Sequence, residues 1–298
     1  MGGGWVGAPR VEEAVAAAQA RFSGVIGVWG RDLRSGETVA VRADETFETA
    51  SAIKTLIMAT VFDLVRRGEA DLAEPLHIEE RHQVRGSGVL RELSLGIALP
   101  LRDVLSLMIV LSDNVATNVA IDRAGGVAAV NAMAARLGLE RTRLLARLDF
   151  ESGANDEGVG RSVPSELGWL YERIHGGDCV GPDEDAAMRD ILLRQQYNTV
   201  LTRELPYELV SPPPHARGEE PPLRVASKSG SWEGVRNDAG IFYGPAGDYV
   251  LVVMSAGCKD LRFHVDNEAM VVLPAISRAA WEAWGETAGL APGAVPVR

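Results

Sequence analysis

The chain has 298 residues, enough for one large domain or two smaller ones, and its apolar fraction of 46% with 24% charged residues is typical of a globular protein. Its formal net charge of -11 at pH 7 argues against a nucleic-acid-binding surface, because such a surface needs clustered basic residues. The two cysteines, Cys179 and Cys258, are too few for a disulfide framework and lack metal-ligand spacing, so we expect two reduced, partly buried thiols rather than one bridge.

The N-terminal segment MGGGWVGAPRVEEAV has none of the basic start, apolar core or cleavage site of a signal peptide. No apolar run reaches the roughly 18 residues needed to span a membrane. We therefore expect no membrane span and a cytoplasmic location for the chain as written, or a periplasmic or secreted one if a leader peptide was removed. We also expect a monomer that needs no cofactor or metal and binds no nucleic acid.

The predicted elements alternate between strands and helices along the chain. A short helix is predicted over 11–21, and GVIGVWGRDLRSGETVAVRAD at 24–44 predicts two strands around a turn at 34–37. Residues 51–206 show mostly helical periodicity. A proline-rich break, SPPPHARGEEPP at 211–222, precedes three short predicted strands, LRVASKSGS, DAGIFYG and DYVLVVMSAG, and NEAMVVLPAISRAAWEAW predicts a closing helix.

This order of elements predicts an α+β fold. The simplest arrangement joins the N- and C-terminal strands in one antiparallel sheet flanked by helices, with the helical block inserted as a second lobe. We predict a single domain over 1–298, with an α/β lobe at 11–50 and 211–290 and an all-helical lobe at 51–210. Clefts form where such lobes meet.

The first chemical signal is TASAIKTLIM, in which Lys54 opens an otherwise apolar helix. Of the thirty Lys and Arg residues only three are lysines, Lys54, Lys228 and Lys259, so where a lysine is present a deprotonatable amine is a reasonable expectation. Ser51 and Lys54 lie three residues apart on one helix face. A lysine made neutral by burial or by a second cation can take the serine proton. On its own, the pair is more often an N-cap serine beside a solvated lysine.

Two further motifs change that interpretation. VLSDNVATN carries Ser-Asp-Asn at 112–114 where a helical run breaks, and VASKSGSWEG carries Lys-Ser-Gly-Ser at 228–231 on a predicted strand. Ser-x-x-Lys, Ser-Asp-Asn and Lys-Ser/Thr-Gly form the motif set of class A β-lactamases and penicillin-binding proteins. All three occur here in that order, about 60 and about 115 residues apart. The chain resembles the class A β-lactamase-like serine hydrolases over about residues 20–285, including GSGVLREL at 86–93.

The resemblance implies covalent catalysis. It implies that Ser51 is the acylated nucleophile and that Lys54 is its base. Ser112 would relay a proton to the leaving nitrogen of the substrate. Lys228 would make the cleft electropositive, which helps to keep Lys54 neutral.

The same resemblance implies a set of substrate-binding groups. Asn114 would hold the substrate amide, and Lys228 and Ser229 would bind its carboxylate. The backbone N–H groups of Ser51 and Ser231 would form the oxyanion hole. The implied partner is therefore a small molecule that carries a carboxylate.

The resemblance weakens at the loop that supplies the deacylating base. Class A β-lactamases carry Glu-x-x-Leu-Asn there, and its Glu activates the water that frees the acyl-enzyme. In RLDFESGANDEGVGRSVPSEL, at 147–167, Glu151 and Asn155 keep the spacing, but the leucine is missing and the loop looks shortened. The candidate base is Glu151, with Asp149 as a rival and a merely solvated acidic loop as the alternative.

We therefore predict a serine hydrolase that acts through an acyl-serine on a carboxylate-bearing amide or β-lactam, with slow deacylation. The absence of a Gly-x-Ser-x-Gly elbow argues against a Ser-His-Asp hydrolase. Arg236, just past the Lys-Ser-Gly strand, either adds a second cation for the carboxylate or pairs with Asp238. The alternative functions are a D-alanyl peptidase-like enzyme and a penicillin-sensing module that stays acylated.

Overall fold

The protein is described here by a computed structural model of residues 7–210 and 221–285. Its elements are, in chain order, α1 (Gly7–Gln19), β1 (Val25–Asp32), β2 (Thr38–Val41), β3 (Phe47–Glu48), α2 (Lys54–Arg66), β4 (Pro75–His77), β5 (Ala98–Pro100), α3 (Leu101–Val110), α4 (Asn114–Ala124), α5 (Val127–Arg136), β6 (Arg143–Leu144), β7 (Gly160–Ser162), α6 (Pro164–Gly176), α7 (Pro182–Leu192), α8 (Tyr207–Val210), β8 (Arg224–Trp232), β9 (Val235–Gly244), β10 (Gly247–Ala256), α9 (Glu268–Val272) and α10 (Pro274–Ala280).

One five-stranded antiparallel sheet combines the two ends of the chain. Its strand order is β2-β1-β10-β9-β8, so the N-terminal hairpin pairs with the last strand. The predicted α+β fold with such a sheet is confirmed. The predicted closing helix is split, because Pro274 begins a new helix, α10, after the short α9.

The central strand β10 is buried on both faces, which is why its sequence reads as a nearly continuous apolar run. Alternate residues enter two separate cores, because successive side chains of a strand point to opposite faces. Val250, Val252 and Met254 pack into the core shared with the inserted helices. Tyr249, Leu251 and Val253 pack into the second core, under α1 and α10.

The inserted part of the chain is built around α2. Residues 54–62 of this helix are buried on all sides, as expected for a helix that is apolar around its circumference. The insertion also carries short strands: β4 pairs with β5, and β7 pairs with both β3 and β6. These strands have two or three residues each, too few for a period of two to be visible in the sequence.

Other expectations have mixed outcomes. Both cysteines are free and buried, as predicted. Within residues 7–210 and 221–285, no helix is long and apolar enough to cross a lipid bilayer. Most of the proline-rich break lies outside the described residues. The single domain over 1–298 and its division into lobes stay predictions, as do the monomeric state and the absence of nucleic-acid binding.

Candidate active site

Ser51 lies in a tight turn between a strand and the buried helix. The turn is a 3₁₀ helix, Ala50–Ile53, that runs directly into α2. Ala50 has a φ of +44°, a left-handed conformation that is costly for a residue with a Cβ. Such strain persists only where the surrounding structure holds it, and Ala50 directly precedes Ser51.

Lys54 is fully buried at the start of α2. Its Nζ lies 2.8 Å from the carbonyl oxygen of Ser112, 3.2 Å from Ser112 Oγ and 2.9 Å from Asn114 Oδ1. These three contacts go to the Ser-Asp-Asn segment. The structure thus brings together the first two of the three sequence motifs.

The Ser-Asp-Asn segment is held by its central residue. Asp113 caps α4 by accepting a hydrogen bond from Ala116 N at 2.9 Å, and it also accepts from Val89 N and Leu90 N. Ser112 has a φ of +51°, again left-handed. The cap and the strained residue together hold the Ser112 hydroxyl over Lys54.

The third motif completes the cluster from the sheet. Lys228 Nζ on β8 donates to Ser112 Oγ at 3.1 Å and to the Ser229 carbonyl oxygen at 2.7 Å. Ser112 Oγ therefore lies between two buried amines. The hydroxyl can pass a proton between them or on to a bound molecule.

The pKa values of both amines are shifted toward the neutral form. Burial lowers the pKa of Lys54 well below 10.5, the charge of Lys228 lowers it further, and Asp113 opposes the shift. Burial also lowers the pKa of Lys228, to about 7, and the nearby Asp238 opposes that shift. Repulsion by Lys228 favours the neutral form of Lys54, which a base needs, whereas the nearby Asp238 favours the charged form of Lys228.

Gly230 allows β8 to lie directly against the Ser51 turn. A Cβ at this position would lie 2.4 Å from the Thr49 carbonyl oxygen and 3.0 Å from Ser51 N. Only glycine tolerates such an approach of two backbones. The backbone of Ser231, the next residue, is thereby brought to the same end of the cluster.

A cavity of about 500 Å³ opens in front of Ser51. We call it the Ser51 cavity, and its lining includes Glu48, Ser51, Arg85, Asn114, Phe150, Val159, Ser231, Trp232 and Phe263. Phe150 and Trp232 stack with their ring centres 4.9 Å apart, which forms an apolar wall. Asn114 donates one amide hydrogen to the Arg85 carbonyl oxygen at 2.9 Å, and its other N–H has no acceptor among the described residues.

The candidate bases of the loop at 147–163, Glu151 and Asp149, do not line the Ser51 cavity, and neither does Asn155. The Glu151 carboxylate is 64% exposed and pairs with Arg85 at 2.6 Å. Asn155 is buried, and its side chain accepts from Asp149 N at 2.6 Å and donates to the Arg147 carbonyl oxygen at 3.2 Å. It therefore stabilises the loop. The assignment of Glu151 as a base stays a prediction.

Asp149, the alternative candidate base of that loop, is also held by hydrogen bonds. Asp149 accepts hydrogen bonds from the backbone N–H groups of Glu151 and Ser152, at 3.1 and 3.2 Å. Hydrogen bonding to Ser152 is the main reason that the pKa of Asp149 is lowered. A carboxylate stabilised in this way is a weaker base.

Arg236 is buried within the sheet and directed at backbone. Its guanidinium donates to the carbonyl oxygens of Val235 at 2.7 Å and of Arg262 at 2.8 Å, and it lies 4.6 Å from the centre of the Phe263 ring. These contacts give it a structural role in joining β9 to the segment after β10. Its predicted role toward a substrate carboxylate stays a prediction.

Sequence reasoning missed Glu48. This residue ends β3, lines the Ser51 cavity and has one enclosed carboxylate oxygen without a hydrogen-bond partner in the described part of the chain. Nothing in the local sequence FETAS marks it, because its surroundings come from segments far away in the chain.

The family relationship extends over nearly the whole chain. Residues 10–284 match the model of the beta-lactamase enzyme family. The chain belongs to this family. It is a class A β-lactamase-like serine hydrolase, as the resemblance implied.

Individual relatives of this beta-lactamase family member agree with that assignment. A β-lactamase of Streptomyces lavendulae is 28% identical over 92% of this chain and 85% of its own. The crystal structure of a β-lactamase from Sphaerobacter thermophilus superposes with a TM-score of 0.81 at 31% identity, covering 95% of this chain and 98% of its own. A mutant of PBP-A, described as an acyl-enzyme complex with penicillin G, has a TM-score of 0.77 at 27% identity, covering 92% and 96%.

Proposed function

We propose that this protein hydrolyses carboxylate-bearing β-lactams through an acyl-enzyme on Ser51, and that deacylation is the slow step. The observation that carries this proposal is the position of Ser112 Oγ between the amines of Lys54 and Lys228, at 3.2 and 3.1 Å. An acyl-enzyme with penicillin G in a mutant of the similar PBP-A supports the chemistry.

Acylation uses the two amines differently. Neutral Lys54 takes the proton of Ser51 Oγ as this oxygen attacks the lactam carbonyl carbon. The developing oxyanion is held by the backbone N–H groups of Ser51 and Ser231. The C–N bond then breaks, and Ser112 delivers a proton to the leaving nitrogen, replenished from the Lys54 ammonium.

Substrate orientation is assigned to the third motif and to Asn114. The Lys228 ammonium and the Ser229 hydroxyl bind the carboxylate, and the remaining amide N–H of Asn114 binds the side-chain amide of the substrate. A fixed orientation of this kind contributes to rate because the reacting atoms no longer have to find each other.

Slow deacylation is proposed from the short loop. The Glu151 carboxylate pairs with Arg85 and is 64% exposed, so it is not held toward the ester. A general base must lie within hydrogen-bond reach of the water that it activates. We therefore expect acylation to outpace release.

Penicillin G and intact-mass spectrometry test the proposal. Wild-type protein should gain the mass of one penicillin within the first turnover, and Ser51→Ala should gain none. A chromogenic cephalosporin should give a burst of about one equivalent followed by a slower steady rate. Equal adducts on both proteins, or no adduct on either, would contradict the acyl-Ser51 assignment.

The loop also favours a second candidate, a penicillin-binding-protein-like enzyme that cleaves peptides and holds β-lactams as long-lived acyl-enzymes. The favouring observation is again the Arg85–Glu151 pair, which holds the predicted base Glu151 at an exposed position. A burst with no subsequent turnover, together with release of D-alanine from a D-alanyl-D-alanine peptide, would favour this candidate.

A further inference from the structure

The Ser51 cavity contains one carboxylate among its described lining residues, that of Glu48. The side chain is partly exposed, yet its Oε1 is enclosed and has no hydrogen-bond partner in the described part of the chain. A buried polar atom without a partner is costly, and native proteins retain few of them without a reason. This acid lies three residues before the nucleophile, in the same cavity.

The backbone of Glu48 is held from two sides. Asn237 Nδ2 on β9 donates to the Glu48 carbonyl oxygen at 2.7 Å. On the other side, β3 pairs with β7, and Thr49 N donates to the Gly160 carbonyl oxygen at 2.9 Å. The position of this residue is therefore fixed relative to both the sheet and the loop that ends at β7.

The loop at 147–163 brings its last residues against the Glu48 carboxylate. A Cβ at Gly158 would lie 2.6 Å from Cγ and 2.8 Å from Oε1 of Glu48. Burial raises the pKa of Glu48, whereas the backbone N–H of Val159 and the charge of Arg161 oppose that rise. The loop thus confines the carboxylate, and the net effect, dominated by burial, is a raised pKa for Glu48.

On these grounds we propose that Glu48 is the general base that activates the deacylating water. The inference rests on the proposed acyl-Ser51 function. Unlike Glu151, which pairs with Arg85, Glu48 lines the cavity that holds Ser51.

Glu48 removes a proton from water as the water oxygen bonds to the carbonyl carbon of the Ser51 ester, which gives a tetrahedral oxyanion. The C–Oγ bond then breaks, and the proton on Glu48 passes to Ser51 Oγ. The product carboxylic acid ionises into solvent, and Glu48 is again a carboxylate.

Glu48→Gln tests this role because it keeps the shape of the side chain and removes its basicity. We expect acylation by penicillin G within about threefold of wild type and deacylation slower by about 10²- to 10⁴-fold, the usual cost of losing a general base. The adduct on Ser51, followed by quenched-flow intact mass, should persist. The matched control is Glu157→Gln, which removes an 81% exposed carboxylate of the same loop that pairs with Arg161; it should deacylate within about twofold of wild type.

Two further readouts separate catalysis from a structural role. Hydroxylamine attacks through a neutral amine and needs no prior loss of a proton, so it should release the adduct from Glu48→Gln about as fast as from wild type. In wild type, deacylation should fall with decreasing pH through a pKa above 4.5, the ordinary value for Glu, and Glu48→Gln should lose this dependence.

The outcomes are distinct. Deacylation of Glu48→Gln within about twofold of wild type overturns the inference and leaves acyl-Ser51 intact, as does a large loss in Glu151→Gln alone. If wild-type Ser51 is never acylated, the proposed function itself fails. If Glu48→Gln does not fold, the pH dependence of deacylation in the wild type and in Glu48→Asp replaces it as the test. If the deacylation rate of either protein does not fall at low pH, the assignment of Glu48 is overturned.

Discussion

Ser112 Oγ lies 3.2 Å from Nζ of Lys54 and 3.1 Å from Nζ of Lys228, so one hydroxyl connects two buried amines from separate parts of the fold. Removing it breaks the route by which a proton reaches the leaving nitrogen. We expect Ser112→Ala to slow acylation by about 10²- to 10⁴-fold.

Ser112→Gly provides the control for backbone strain. Both variants lack the hydroxyl, but only glycine relieves the left-handed φ of +51°. Acylation measured by stopped flow should fall equally in both, whereas thermal unfolding should favour the glycine variant. A glycine variant with restored acylation would show that conformation, rather than the hydroxyl, matters at this position.

Lys54→Arg should be nearly as damaging as Lys54→Ala. Arginine keeps the positive charge but cannot serve as a neutral base, and its larger head group does not fit where Nζ contacts Ser112 and Asn114. The expected loss of acylation rate is about 10²- to 10⁴-fold in both variants. Near wild-type acylation in Lys54→Arg would make Lys54 a structural cation and would contradict the mechanism.

Much of this cluster could be predicted from sequence, because its residues belong to three compact motifs. Ser51 and Lys54 lie three residues apart, in a 3₁₀ turn and at the start of the helix that follows it, so local geometry already placed them together. Glu48 could not be predicted in this way. Its environment is made by Gly158 and Asn237, which lie about 110 and about 190 residues away in the chain. Nor could the two-residue strands β3 and β6 be predicted, because long-range pairing and not periodicity defines them.

The pH dependence of kcat/KM should report the two lysines. Acylation needs neutral Lys54, so it falls as pH drops through the lowered pKa of that residue. Carboxylate binding needs protonated Lys228, whose pKa in the free enzyme is lowered to about 7, so binding weakens as pH rises above that value. We therefore expect kcat/KM to fall on the alkaline side at a pH far below the usual pKa range of lysine.

Lys228→Arg checks the origin of that alkaline limb. Arginine stays charged throughout the accessible range, so the fall above about pH 7 should disappear even if the overall rate decreases. An alkaline limb that persists unchanged in Lys228→Arg would assign it to another group.

Gly230→Ala should separate β8 from the Ser51 turn. The new Cβ would lie 2.4 Å from the Thr49 carbonyl oxygen, and backbone on both sides limits relaxation. We expect a loss of about 1–3 kcal/mol in the free energy of unfolding, as for other overpacked sites. Acylation should also slow, because the strand and the nucleophile no longer keep their spacing.

Gly244→Ala is the matched control for that variant. It lies at the far end of β9, where a Cβ would come no nearer than 3.3 Å to its surroundings. In Gly244→Ala, the free energy of unfolding from chemical denaturation and the acylation rate from stopped flow should both change little. Equal losses in the two variants would mean that the sheet, and not its contact with Ser51, is sensitive to an added methyl group.

The last prediction concerns the loop that confines Glu48. Gly158→Ala places a methyl group 2.6 Å from Glu48 Cγ, whereas Gly153→Ala, on the same loop, meets Asp156 no nearer than 3.2 Å. Both glycines have positive φ, +95° and +81°, so alanine strains the backbone at both positions. We expect both variants to lose stability in thermal unfolding. Only Gly158→Ala should slow deacylation, by on the order of 100-fold, because a base displaced by ~1 Å no longer reaches its water. Acylation should change little in either variant. Since the strain is shared and the contact with Glu48 is not, equal deacylation rates in the two proteins would mean that the loop does not position the base.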